Sequence, residues 1–306
     1  VKIIRNLKQE IPPLALAIGN FDGVHLGHQK IISQIKQIAK EKKLASAILT
    51  FEPHPISFFN PSRAKDFRIT SLAEKLRIFK NLQIDYVIIL PFNKKFSEIL
   101  AVDFAQKILR DSLNSKHLIV GYDFTFGKNR GGNFQLLEDL KFDLTEISAV
   151  KQDKNICSSS LVRKLISDGL MTDVNEILGK NFVVDGLVAE GQKLASQLGF
   201  PTANLLVKPH LIKPKFGVYK TRTFVPHLNK SFASITNFGV KPTINSENKP
   251  LFETHILDFD QKIYGKKISV EFIDFIRDEK KFSSIDELRL QIKQDLAWLD
   301  SKFSHQ

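Results

Sequence analysis

Gly19-Asn20-Phe21-Asp22-Gly23-Val24-His25-Leu26-Gly27-His28 is the stretch from which the rest of the chain can be read. The apolar run Leu14–Ile18 before it has the character of a buried strand, and Ile31, Ile32, Ile35, Ile38 and Ala39 after it recur at helical spacing. Strand, glycine loop and helix start thus follow one another. Glycines at 19, 23 and 27 let the backbone turn sharply and approach a ligand. A helix start offers unpaired N–H groups and a positive dipole end, both suited to phosphate. His25 and His28 are three residues apart, so both rings leave the first turn in one direction. Any one of these features alone fits a plain glycine turn with a capping or packing histidine. Paired histidines also hold zinc, but no third and fourth ligand stands at a convincing spacing, so metal ranks below phosphate.

The 306 residues suffice for two domains with a core each, and 42% hydrophobic with 25% charged content is ordinary for a globular protein. No apolar run approaches a membrane span and no signal peptide is recognisable, so no membrane association is expected. The single cysteine, Cys157, excludes an internal disulfide and fits a reducing cytoplasm. A net charge of +12 favours anionic partners, whether nucleic acid, nucleotides or phosphorylated cofactors.

Strand and helix signals alternate through the first half. Ala45–Phe51, Tyr86–Leu90 and His117–Val120 read as further strands. Leu72, Leu76 and Phe79 behind a Ser71/Glu74 capping box, and Leu100, Phe104 and Ile108, read as helices. Such alternation predicts a parallel sheet covered by helices, with ligands beyond the carboxyl ends of its strands. Three loops should meet there: the glycine loop, Glu52-Pro53-His54-Pro55 and Gly121–Gly132. The second is either a stiff mount for His54 or a rigid turn. The third interleaves Phe124 and Phe126 with glycines. Either it embraces a flat ring, with Lys128 and Arg130 near phosphate, or its phenylalanines are core. Cys157–Arg163 then places Ser158, Ser159 and Ser160 before a helix, to cap it or to bind phosphate with Arg163.

Near Gly179 helical spacing gives way to short alternating runs punctuated by Gly and Pro, which predicts a compact β domain, a barrel. Leu198–Asn204 reads as a tight loop presenting the oxygens of Thr202 and Asn204, suited to Mg²⁺ that also holds phosphates, or else as a structural turn. Glu253, taken alone, is an exposed strand carboxylate. The chain ends in an amphipathic helix capped by Ser284 and Glu287, with Ile285, Leu288, Ile292, Leu296 and Leu299 as its apolar stripe.

Taken whole, the opening stretch resembles the H-x-G-H signature of the nucleotidyltransferase superfamily. Its Asn-Phe-Asp-Gly lead-in resembles the flavin-specific branch, the adenylyltransferase module of bacterial bifunctional riboflavin kinase/FAD synthetases. Gly121–Gly132 resembles that family's G-x-D-F-x-F-G segment, and Cys157–Arg163 its I-S-S-T-x-I-R motif. In the second half Pro201–Asn204 resembles the flavokinase P-T-A-N motif, Gly217–Tyr219 its G-V-Y strand, Asn237–Thr243 its N-x-G-x-x-P-T loop and Glu253–Phe259 its E-x-H-x-x-D-F strand.

The resemblance implies an α/β Rossmann-like nucleotidyltransferase domain over 1–178 and an antiparallel β-barrel riboflavin kinase domain with a C-terminal helix over 179–306. It implies phosphorylation of riboflavin to FMN and adenylylation of FMN to FAD, with ATP as co-substrate and Mg²⁺ as cofactor. For adenylyl transfer it implies His25 and His28 as catalytic groups, and Gly19, Phe21, Asp22, Gly23, His54, Asp123, Ser159, Ser160 and Arg163 as nucleotide- or flavin-binding residues. For the kinase it implies Glu253 as general base, Gly191, Gly199, Pro201, Thr202, Asn204 and Asn237 around nucleotide and flavin, and Thr202 and Asn204 on the metal.

Departures are few. Cys157, Ser160 and Val162 replace the Ile, Thr and Ile of the I-S-S-T-x-I-R motif, Ala195-Ser196 stand where the kinase flap carries Gly-Arg, and Lys180-Asn181 replace Arg-Pro at the junction. Three rivals follow. A monofunctional adenylyltransferase with a flavin-binding barrel is opposed by intact Thr202, Asn204 and Glu253. A nucleotidyltransferase for pantetheine phosphate or a nicotinamide nucleotide needs no flavokinase barrel. An RNA-binding protein needs a stacking platform or basic stripe, and neither is visible. The expectation is a cytoplasmic enzyme, monomeric or transiently self-associating, that binds riboflavin, FMN, FAD and ATP and neither nucleic acid nor membrane.

Overall fold

The structure is a computed structural model, and it describes residues 1–190, 199–240 and 250–303. The chain divides into two compact units, Val1–Val162 and Arg163–Gln306.

The first unit is built on a six-stranded sheet. In chain order its main elements are β1 (Lys2–Ile4), β2 (Leu14–Ile18), α1 (Leu26–Lys42), β3 (Ala45–Glu52), α2 (Leu72–Asn81), β4 (Tyr86–Pro91), α3 (Phe104–Ser112, a π-helix), β5 (Ser115–Gly121) and β6 (Leu144–Ile147). The strand order is β1-β4-β3-β2-β5-β6, and every pairing is parallel. The expected strands are all present. The flanking β1 and β6, only three and four residues long, are additional; runs that short leave no readable alternation.

Alternation along β2 sets the two layers. Leu14, Leu16 and Ile18 face the side that holds Phe104, Leu109 and Leu113, whereas Ala15 and Ala17 face Ile32, Ile35 and Ile38 of α1 and Phe79 of α2. Both faces of β2 are therefore buried, as a parallel sheet requires. The chain runs outward from β2 through β3 to β4, then returns to place β5 on the other side of β2. The carboxyl end of β2 is thus the switch point, and the glycine loop leaves from it. The loops after β3 and β5 leave neighbouring strands at the same edge, as the three-loop expectation requires.

The second unit begins inside α4 (Ser159–Asp168), continues through α5 (Met171–Leu178) and closes into a barrel of β7 (Phe182–Ala189), β8 (Thr202–Val207), β9 (Gly217–Val225), β10 (Lys230–Val240), β11 (Pro250–Ile256) and β12 (Lys267–Arg277). Its order is β8-β11-β10-β9-β12-β7, antiparallel throughout. The helices just before Gly179 join the barrel by hydrogen bonds. Asn175 Nδ2 donates to Phe272 O at 2.9 Å, and Asn175 Oδ1 accepts from Phe182 N at 2.8 Å.

The barrel interior is part polar. Thr254, Thr236, Thr221, Ser234 and Thr223 are fully buried and linked hydroxyl to hydroxyl at 2.8–3.0 Å. Such groups are tolerated because each finds a partner.

Helix α6 (Ile285–Phe303) starts at the expected cap, with Glu287 N donating to Ser284 Oγ at 3.2 Å. Of its expected apolar stripe Ile285 is exposed, Leu288, Ile292 and Leu296 are half-buried, and the side chain of Leu299 lies outside the described residues. The buried anchor is instead Asp295, which takes Arg277 Nε at 2.9 Å and Nη2 at 2.7 Å in a fork-to-fork pair. Leu296 packs on Val218 and Ile235 beside it. Removing one half of a buried pair leaves the other charge uncompensated. Asp295→Ala should therefore destabilise the barrel by about 3 kcal/mol, read as an earlier urea transition of the fluorescence of Trp298, the chain's single tryptophan.

Candidate functional sites

In the first unit the glycine loop is a strained turn clasped by the segment that leads into α2. Phe21 and Val24 both have left-handed backbones, with φ of 49° and 47°. A bulky or β-branched residue holds that conformation only where its surroundings impose it. The Asp22 carboxylate, 2% exposed, accepts from Ile69 N at 3.1 Å, Thr70 N at 3.1 Å and Thr70 Oγ1 at 3.3 Å. Thr70 Oγ1 in turn accepts from Gly23 N at 3.1 Å. Ser71 then caps α2 by accepting from Glu74 N.

Lys75, on the buried face of that helix, donates to Asn20 O at 2.9 Å. Burial pushes its ammonium down from 10.5 to about 8, against the opposing pull of Asp22. Sequence reading passed over Lys75, although its place in the apolar stripe of Leu72, Leu76 and Phe79 was the available signal.

The two histidines meet as their spacing predicts. The rings of His25 and His28 stack at 3.7 Å between centroids, and Phe21 lies against His28 at 5.0 Å. The helix begins at Leu26, inside the glycine-rich stretch itself, with His25 at its N-cap. Gly27 is needed for close approach: a Cβ there would press on the His25 ring at 3.1 Å and on Cys157 O at 3.3 Å.

The Cys157–Ser160 segment therefore reaches the loop, and Ser159 Oγ donates to Asp22 O at 2.8 Å. Ser158 Oγ caps the helix by accepting from Leu161 N, so one serine caps and the next braces the loop, while Ser160 is exposed. Arg163 follows Ser159 by one helical turn and shares its face.

The other two loops turn some expected ligand groups inward. His54 is buried; its Nδ1 accepts from Ile56 N at 3.2 Å and its ring packs edge-on against Phe67. Phe124 and Phe126 stack on each other and join the core beside Phe104, so the core alternative holds for them. Tyr122, Asp123, Lys128 and Arg130 remain exposed on that loop.

In the second unit the strand register assembles the expected residues. Glu253 on β11 stands opposite Asn204 on β8 and opposite Asn237 on β10. Directly paired residues share a sheet face, so the three form one row across adjacent strands. Thr202 pairs with His255, whose Nδ1 donates to Pro201 O at 2.8 Å and so fixes the entry to β8, just after Gly199.

Asn204 is buried, and among the described residues nothing donates to its Oδ1. A carboxylate that sequence reading did not single out completes the row. Glu279 lies over Gly239, where any Cβ would overlap it, and it accepts from Asn237 and Val240 N. Burial pushes its carboxyl up, and neighbouring Glu253 pushes the same way. Gly191, Ala195-Ser196 and Lys241–Thr243 lie outside the described residues.

The comparisons agree with this two-part geometry. The family described as FAD synthetase matches residues 7–161, and the family described as riboflavin kinase matches 178–303. Bifunctional riboflavin kinase/FMN adenylyltransferases from Buchnera aphidicola (subsp. Schizaphis graminum) and Haemophilus influenzae are each 35% identical over 99% of this chain, covering 98% and 99% of their own lengths. That from Escherichia coli K12 is 34% identical over 96% of this chain and 95% of its own.

A crystal structure from Streptococcus pneumoniae, described as a macrolide-efflux protein, superposes with a TM-score of 0.87 at 28% identity, over 96% of this chain and 97% of that one. That description stays with that protein; among the described residues here, no helix is long and apolar enough to cross a membrane. With both halves matched in order and relatives aligned end to end, the chain belongs to the bifunctional riboflavin kinase/FMN adenylyltransferase family.

Proposed function

We propose that this chain makes FMN and then FAD, its second half (179–306) phosphorylating riboflavin with ATP and its first half (1–178) adenylylating the FMN formed. The observation that carries this reading is the pair of non-overlapping family matches on one chain, each falling on a site of the right chemistry.

In the kinase step the 5′-hydroxyl of riboflavin attacks the γ-phosphorus of ATP. An O–P bond forms, the bond to the β–γ bridging oxygen breaks, and ADP leaves. A neutral hydroxyl must lose a proton, and Glu253, central in its row of polar side chains, is the base that takes it. Thr202 and Asn204 offer oxygens to a magnesium ion. The fit rests on Asn204 Oδ1, a buried acceptor with no donor among the described residues and suited to a hard cation. When bound, Mg²⁺ supplies positive charge to the phosphates. Gly199, Pro201 and Asn237 shape the surrounding nucleotide and flavin site, to which the family motif also assigns Gly191.

In the second step an oxygen of the FMN phosphate attacks the α-phosphorus of another ATP, and pyrophosphate leaves. That nucleophile is already ionised at neutral pH, so alignment and charge stabilisation replace general-base chemistry. The stacked His25 and His28 are the donors to the phosphates, and Ser159, Ser160 and Arg163 are the further phosphate-binding residues that the family motif assigns. The loop of Gly19, Phe21, Asp22 and Gly23 seats the nucleotide. Asp22 acts through the backbone it clasps, and His54 through the turn it caps. Asp123 faces the same edge of the sheet from the loop after β5. The setting is the cytoplasm, and the protein acts as a monomer or a transient self-associating species.

The test is a time course with riboflavin and MgATP, resolving riboflavin, FMN and FAD by chromatography. FAD following a transient of FMN is expected; riboflavin left unchanged while added FMN becomes FAD would remove the kinase half of the proposal. Glu253→Gln should cut riboflavin phosphorylation by roughly 10²–10⁴-fold and leave conversion of added FMN intact. His28→Ala should do the reverse, slowing FAD formation by about 10²–10³-fold while FMN accumulates.

A further inference from the structure

We propose that Lys75 is a positioning residue for adenylyl transfer, its buried ammonium holding the strained Asn20–Val24 turn in the shape that receives nucleotide phosphates. The inference rests on the reading of the glycine loop as the adenylylation site. Lys75 is 2% exposed, among the most buried charged groups of the chain, and buried lysines are rare without a purpose. Its Nζ donates to Asn20 O at 2.9 Å, and Thr50 Oγ1 donates to the same carbonyl at 3.3 Å. Asn20 immediately precedes the left-handed Phe21, and Phe21 carries the ring that lies against His28. Lys75 thus reaches the imidazole pair through one peptide and one aromatic ring.

The charges around Lys75 come from three other elements. Asp22 lies on the glycine loop, Glu52 at the end of β3, and Arg68 on the segment before α2. Arg68 and Glu52 already satisfy each other in a two-pronged pair at 2.8–2.9 Å, and Asp22 is engaged by Ile69 and Thr70. Burial lowers the affinity of Lys75 for its proton, to about pH 8 without ligand. The neutral amine still donates a hydrogen bond but brings no charge. Anionic phosphates seated on the loop favour the charged form, so nucleotide binding draws a proton onto Lys75.

Three measurements on the full chain test this. The kcat/KM for FMN adenylylation reports ionisations of the free enzyme. It should fall above about pH 8 in the wild type and hold to higher pH in Lys75→Arg. Lys75→Met, which loses both bond and charge, should lose roughly tenfold to a hundredfold in kcat/KM at neutral pH, as for a lost charge-assisted hydrogen bond, and have no such limb. ATP binding at pH 8.5, followed by calorimetry in buffers of different ionisation enthalpy, should take up on the order of half a proton in the wild type and almost none in Lys75→Arg. Thermal melting shows whether a variant is folded, and riboflavin phosphorylation by the same samples shows that the second site is unaffected.

An identical high-pH limb in Lys75→Arg, or a folded Lys75→Met that makes FAD at the wild-type rate, would sink the role of Lys75 and leave the adenylylation reading standing. A wild type that makes no FAD from FMN overturns that reading, and this inference with it.

Discussion

The first unit depends on one buried carboxylate. Asp22 sits within a turn whose neighbours hold costly backbone angles, and it receives two backbone N–H groups and a hydroxyl from Ile69 and Thr70. A carboxylate so far from water survives only if it is hydrogen-bonded. The same bonds work in the other direction: they fix where the segment before α2 begins, and with it Ser71, the helix and Lys75. Through Thr70 Oγ1 they return to Gly23 N, so turn and helix start form one closed circuit. The strain at Phe21 and Val24 is held because relaxing either residue would break bonds elsewhere in that circuit.

The constraint in the second unit is register. Residues alternate faces along a strand, so slipping β11 by one position would send Glu253 into the barrel and bring Thr254 out. Both sides oppose the slip. Inside, Thr254 is one link of a fully buried hydroxyl chain, where a lost partner is costly. Outside, Glu253 lines up with Asn204 and Asn237, and Asn237 is tied to Glu279, whose carboxylate lies over Gly239. The polar interior, unusual for a small barrel, therefore fixes the position of the carboxylate on the outer face.

What was legible in the sequence was what is local. The strand, glycine loop and helix around His25 and His28 are written in consecutive residues, and so are the caps at Ser71 and Ser284. The row of Asn204, Asn237 and Glu253 was legible as three separate motifs, but their alignment is a property of strand pairing. The clasp was not legible, because its partners lie 47 or more positions apart and bond through main-chain atoms that every residue has. Lys75 was passed over because a lysine in an apolar stripe reads as a break in the pattern rather than as a buried charge. Phe124 and Phe126 were ambiguous for the opposite reason: aromatic residues beside glycines look alike whether they hold a ring or fill a core, and only the packing against Phe104 separates the two.

The two sites differ in a way that follows from their nucleophiles under the proposed reading. A sugar-like hydroxyl is a poor nucleophile until it is deprotonated, so its site needs a base, and a carboxylate flanked by amides supplies one. A phosphate arrives already ionised and brings its charge toward a second, highly charged phosphate chain. Its obstacle is repulsion, and its site needs donors and positive charge held in place in advance. The stacked imidazoles, the helix start of α1 and the buried Lys75 all answer that need, and each is held by backbone rather than by exposed side chains. The first site is equipped to gather and align charge, the second to take a proton from a neutral hydroxyl. The chemistry thus favours two separate sites on one chain over a single site serving both steps.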